Sequence, residues 1–87
     1  MHFVTDRMFE RQFKKAPAAI REKIEERIEL LSVDEYNHIL QNHKLNTPYA
    51  TFRSINITGD WRLLYRRVDA NTMYLRAVGT HHKLYGT

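Results

Sequence analysis

Two hydrophobic periods divide the chain. Between residues 7 and 31 apolar positions recur every three or four residues, whereas from residue 51 onward they alternate with polar ones. Met8, Phe9, Phe13 and Ala16 give one apolar side to a helix expected from about Arg7 to Lys15. Thr5 or Asp6 can cap it, because either side-chain oxygen can accept from the open amides of the first turn. Pro17 ends that helix and suits the first position of the next, where its missing N–H is not needed. In the second helix Ile20, Ile24, Ile28 and Leu31 share a face, and Arg21, Glu22, Glu25, Glu26 and Glu29 fill the other side. Joined at one proline, the two form an antiparallel hairpin whose apolar stripes need a cover. Residues 2–5 read as a short strand. Residues 34–42 read as a further helical turn anchored by Tyr36, Ile39 and Leu40.

Asn46-Thr47-Pro48 breaks any helix, and the period then changes to two. Strands are expected at Thr51–Ile57, Asp60–Val68 and Thr72–Val78, with turns at Thr58-Gly59 and Asp69-Ala70-Asn71. Turns this short imply an antiparallel meander. Strict alternation puts Trp61, Leu63 and Tyr65 on one face and Arg62, Leu64 and Arg66 on the other. It likewise groups Met73, Leu75 and Ala77 against Tyr74, Arg76 and Val78, and Arg53, Ile55 and Ile57 against Phe52, Ser54 and Asn56. The expected fold is α+β: an N-terminal helical hairpin packed on a twisted antiparallel sheet, with an open, arginine-rich opposite face.

At 87 residues the chain has the size of one domain, taken as residues 1–87. Its 43% apolar and 28% charged content is that of a globular chain and not of a disordered one. The absence of cysteine excludes a disulfide scaffold and a thiolate metal site, and suits a reducing cytoplasm. No apolar run approaches the ~18 residues of a membrane span. The N-terminus turns polar too soon for a secretory signal.

Charge changes the picture more. The formal net charge is +4, but residues 1–42 hold seven basic and eight acidic side chains, while residues 43–87 hold seven basic and two acidic. The whole excess, with three of the five histidines, sits in the second half. A polyanion or acidic partner on one face would explain this, and a merely solvated basic surface is the plainer alternative.

No glycine-rich phosphate loop and no nucleophile triad can be read. His38 and His43 lack a carboxylate spaced to complete a zinc site, so no metal or other cofactor is expected. What remains is polar residues at strand ends: His43 and Lys44 before the sheet, Asp60, Trp61 and Arg62 opening the central strand, and Thr80 to Tyr85 after the last. In a meander Asp60 should lie near Val78–His81. Imidazoles, a carboxylate and guanidinium groups beside a basic face suit RNA cleavage, which needs a base for the 2′-OH, an acid for the departing 5′-oxygen and cations for the phosphorane. Plainer roles exist for each: His81 as a cap of the sheet edge, Asp60 as a turn residue, Trp61 as core, Tyr85 as a tail anchor.

Asn42-His43-Lys44-Leu45, Phe52-Arg53-Ser54-Ile55, Gly59-Asp60-Trp61-Arg62-Leu63-Leu64-Tyr65 and Val78-Gly79-Thr80-His81, with Leu84-Tyr85-Gly86, resemble the RelE/ParE toxin superfamily over nearly the full length, and within it the YafQ-like toxins. The resemblance implies two N-terminal helices on an antiparallel sheet, with residues 2–5 pairing at its edge. It implies a type II toxin that cleaves mRNA on the ribosome without a metal, and a cognate antitoxin as partner. His43, Asp60, Arg62, His81 and Tyr85 match catalytic positions, with His81 as acid and Asp60 or His43 as base. Lys44, Arg53, Trp61, Arg76 and Lys83 are the expected RNA-binding residues. Asn56 departs from the pattern, since YafQ-like toxins carry a second catalytic histidine there; His82 is a substitute only if the tail curls back. A ParE-like gyrase inhibitor, or an inactive toxin, is the alternative.

Overall fold

The computed structural model describes residues 1–86. Strand β1 (His2–Thr5) leads into α1 (Arg7–Lys15), which begins where Asp6 Oδ1 accepts from Met8 N at 2.8 Å. Helix α2 (Ala18–Val33) follows. Pro17 stands one residue before it with an extended ψ of 151°, as the cap and not as the first helical residue. The predicted stripe holds: Ile24 and Leu31 are fully buried, and Ile20 and Ile28 pack against the core. A 3-10 turn at His38–Leu40 supplies the further helical segment. Of its three expected anchors only Leu40 is buried, whereas Tyr36 and Ile39 are 67% and 45% exposed. So short a turn can offer the core only one side chain.

Strands β2 (His43–Lys44), β3 (Arg53–Thr58), β4 (Trp61–Asp69) and β5 (Thr72–Thr80) complete a five-stranded sheet in the order β1-β5-β4-β3-β2. The meander is antiparallel throughout, and β1 joins its far edge parallel to β5. Gly59, at φ +54°, takes the left-handed turn before β4.

One correction concerns the faces. Leu64 pairs with Ala77 but Tyr65 pairs with Leu75, so Arg76 is an extra residue on β5. This bulge resets the alternation. Val78, expected on the open face, is therefore in the core opposite Leu63. Ala77, expected in the core, lies outside it with Leu64. Both Leu64 and Ala77 are nonetheless buried, and they share a small pocket with Tyr49 and Leu84. The face opposite the helices is thus only partly open. Its cover comes from the loop before β3 and from α3 (His81–Tyr85), a short helix that the sequence pattern did not reveal. Thr80 Oγ1 accepts from Lys83 N at 3.3 Å to start α3, and Gly86 N donates to His82 O at 2.7 Å to end it. Among the described residues no helix is long and apolar enough to cross a membrane.

Candidate active site

Four of the five expected catalytic residues line one cleft of about 570 Å³, walled by the loop from Leu45 to Tyr49. His43 comes from the edge strand β2, Arg62 from the start of β4, and His81 and Tyr85 from α3. The antiparallel pairing of β4 and β5 creates this meeting. Trp61 sits opposite Thr80, which brings the start of one strand beside the helix that follows the other.

Arg62 is the centre of the cleft. Its Nε donates to the hydroxyl of Ser54 at 2.9 Å, and Ser54 is fully buried on β3. Its Nη2 lies 3.2 Å from His43 Nδ1 and 3.5 Å from the Gln41 carbonyl. Burial pulls the guanidinium below its ordinary pKa, and nearby Tyr85 opposes this. An arginine still keeps its charge under these conditions, so the cleft holds a cation only partly hydrated. His43 Nδ1 is also 3.1 Å from Gln41 O. Its two neighbours make opposite demands: the guanidinium can only donate and the carbonyl can only accept. A neutral ring can serve either one, and its choice decides whether Nε2 carries a proton or a lone pair.

The His81 ring meets Tyr85 edge-on, with centroids 4.5 Å apart. Tyr85 in turn lies 6.1 Å from Tyr49, edge to face, and Tyr49 OH donates to Leu84 O at 3.4 Å. The Tyr85 hydroxyl is shielded from solvent and has no hydrogen-bond partner among the described residues. A buried hydroxyl in that state is costly unless something fills the cleft.

Asp60 is the expected catalytic residue that does not line the cleft. It does lie beside His81, but through its backbone: its carbonyl accepts from His81 N at 2.9 Å. The residue is exposed in the turn before β4. Asn56 sits directly opposite Arg62, and its amide donates to Gly59 O at 3.2 Å. His82 is exposed on α3 and is not part of the lining.

The expected RNA-binding residues separate into two groups. Lys44 on β2 and Lys83 on α3 are exposed and free of ion pairs among the described residues. Arg53 is committed elsewhere, donating through Nε to Asn42 Oδ1 at 2.7 Å with its guanidinium 5.4 Å from the Tyr36 ring. Arg76 pairs with Asp6 at 3.3 Å. Trp61 packs against the core and not in the cleft. Exposed Arg66, not among the expected residues, has its guanidinium 5.1 and 5.4 Å from the rings of Phe52 and Tyr74. The alternation that grouped it with Arg62 was the available signal. Ser54 and Tyr49 were missed for a different reason, since nothing local marks a serine as an arginine's partner or a loop tyrosine as a wall. Among the described residues no three His, Cys, Asp or Glu side chains cluster as a metal site.

No curated protein matches the chain by sequence. Among solved structures it is similar to YafQ from E. coli strain BL21(DE3), with 19% identity, 97% of each chain covered and a TM-score of 0.82. It is also similar to the YoeB/ParE toxin from Agrobacterium tumefaciens, with 19% identity, 93% of this chain and 99% of that one covered, and a TM-score of 0.80. The toxin in the E. coli DinJ-YafQ toxin-antitoxin complex aligns at 19% identity over 97% and 96% of the chains, with a TM-score of 0.79. These likenesses establish the fold. Residues 1–86 match the family described as the bacterial toxin of type II toxin-antitoxin system, YafQ. With the whole described chain inside that match, the protein belongs to the YafQ family of type II toxins.

Proposed function

We propose that this toxin is an endoribonuclease that cuts mRNA on the ribosome by attack of a ribose 2′-OH on the adjacent phosphate. The observation that carries this reading is the convergence of His43, Arg62, His81 and Tyr85 on one cleft. His43 is the better base. With Nδ1–H donated to Gln41 O, its Nε2 lone pair can take the 2′-OH proton. Asp60, exposed in its turn, is the poorer candidate. The freed oxygen attacks phosphorus, the P–O5′ bond breaks, and His81 protonates the leaving oxygen. The products are a 2′,3′-cyclic phosphate and a 5′-hydroxyl. Arg62 holds the charge that builds on the phosphorane, and the unpartnered Tyr85 hydroxyl donates to the same group. Lys44 and Lys83, both exposed, bind backbone phosphates without reading bases.

Translating ribosomes place the work in the cytoplasm. Within its own cell the toxin is held by a cognate antitoxin, as YafQ is held by DinJ in the solved complex. The net +4 charge suits an acidic partner. The test is expression of His81→Ala in growing cells. Growth arrest and cleavage of translated messages should fall ~10²–10⁴-fold, the loss expected for one general acid. An equally toxic His81→Ala protein would refute the assignment.

A further inference from the structure

The geometry points to Tyr65, together with Glu35 and Asn42, as a positioning group that holds His43 in the cleft from the opposite face of the sheet. This rests on the reading of His43 as a functional residue.

Tyr65 looks at first like ordinary core. Its side chain is fully buried among the residues under the helices. A phenylalanine would fill that space equally well, and a buried hydroxyl is costly unless it is bonded. Here it is bonded twice. Tyr65 OH donates to Glu35 Oε2 at 2.7 Å and accepts from Asn42 Nδ2 at 2.6 Å. Burial and the bond to Glu35 push the phenol well above its ordinary pKa, so it remains a neutral donor. Glu35 is fixed in its turn by Arg67, whose Nη2 and Nε donate to Oε1 at 2.8 and 3.2 Å.

The chain of bonds ends at the residue before His43. Asn42 Nδ2 also donates to Glu35 O at 2.9 Å, and Asn42 Oδ1 accepts from Arg53 Nε at 2.7 Å. Both amide donors and one acceptor site of Asn42 are therefore used. Asn42 immediately precedes β2, in which His43 pairs with Ser54 beneath Arg62, so an anchored Asn42 fixes the start of the strand that carries His43 into the cleft. Such an anchor is needed. Strand β2 is two residues long and lies at the sheet edge. The preceding Gln41 has φ +47°, a conformation that a non-glycine residue keeps only when its surroundings impose it. That same turn aims the Gln41 carbonyl at His43 and Arg62.

The experiment compares Tyr65→Phe with the parent toxin. In ribosome-dependent cleavage kcat should fall about 10–100-fold with KM little changed, the loss typical of a misplaced reacting group. Imidazole ¹⁵N spectra of His43 should move from one defined tautomer toward an average of two, which loss of stability alone would not cause. Should Tyr65→Phe not fold, Asn42→Ser carries the same expectation, because it removes the anchor without disturbing the core. A parental His43 spectrum and parental kcat in the folded variant would overturn the inference. A fully active His43→Ala protein would instead overturn the reading of His43 itself. An altered His43 spectrum beside that result would mean that the group positions a residue that does not react.

Discussion

Ser54→Ala tests whether the cleft is held together from beneath. Ser54 is the buried polar side chain of β3, and its hydroxyl accepts from Arg62 Nε at 2.9 Å. Alanine removes that acceptor and leaves a guanidinium N–H in a half-buried site with nothing to bond. A hydrogen bond to a charged group contributes about 1.5–3 kcal/mol. The lower end applies here, since removing the hydroxyl also removes its own desolvation cost and the guanidinium can turn partly toward solvent. For a chain of this size 1 kcal/mol moves Tm by about 4–8 °C, so Ser54→Ala should melt roughly 6–12 °C below the parent. Thermal melts followed by circular dichroism, at fixed protein concentration and without antitoxin, would measure this. The same variant should cleave RNA at least about 10-fold more slowly, because a guanidinium free to swing no longer meets the phosphate in one place. A Tm within about 2 °C of the parent, less than half a kcal/mol on the same scale, would refute the reasoning.

Three other outcomes follow from the geometry. Asp6 accepts from the Tyr74 hydroxyl and from Met8 N, and faces Arg76, so its carboxyl is held below the ordinary carboxylate pKa. A depressed folded-state value means that Asp6 stabilises the fold fully above the ordinary carboxylate range and loses that contribution as pH falls through the lowered value. Urea unfolding at pH 7 and pH 3 should therefore show a smaller acid-induced loss for Asp6→Asn than for the parent; an equal loss would contradict this. Lys44→Ala should lower the log–log salt slope of RNA binding by about 0.7, one single-strand phosphate, whereas Arg53→Ala should leave the slope unchanged because Arg53 is bound to Asn42. A reversed result would mean that Arg53 leaves Asn42 to bind the RNA while Lys44 stays in solvent. Asn56→His should raise the cleavage rate, by up to about 100-fold, because position 56 faces Arg62 across the strand pair. An unchanged rate would mean that His43 and His81 already supply both proton transfers.

The periodicities determined much of this protein. The spacing of Ile20, Ile24, Ile28 and Leu31 foretold α2 and its buried side, and the alternation after residue 51 foretold three paired strands. His43, Arg62 and His81, which the motifs singled out, come together in one cleft. Such signals are legible because one face of an element must be buried, and its period is written locally. The exceptions were non-local. Arg76 is an extra residue on β5 between the pairs Leu64–Ala77 and Tyr65–Leu75, and no residue in β5 announces it; Val78 and Ala77 exchange faces as a result. Arg53 looked like a free cation and Tyr65 like plain core until Asn42 and Glu35, distant in sequence, supplied their partners. Asp60 matched a motif, yet the turn that holds it brings its carbonyl and not its carboxylate to His81. A side chain's residue type limits what it can bond, but which groups lie within 3 Å is decided by strand register and by the packing of the 34–42 segment on the sheet, and these exist only once the chain has folded.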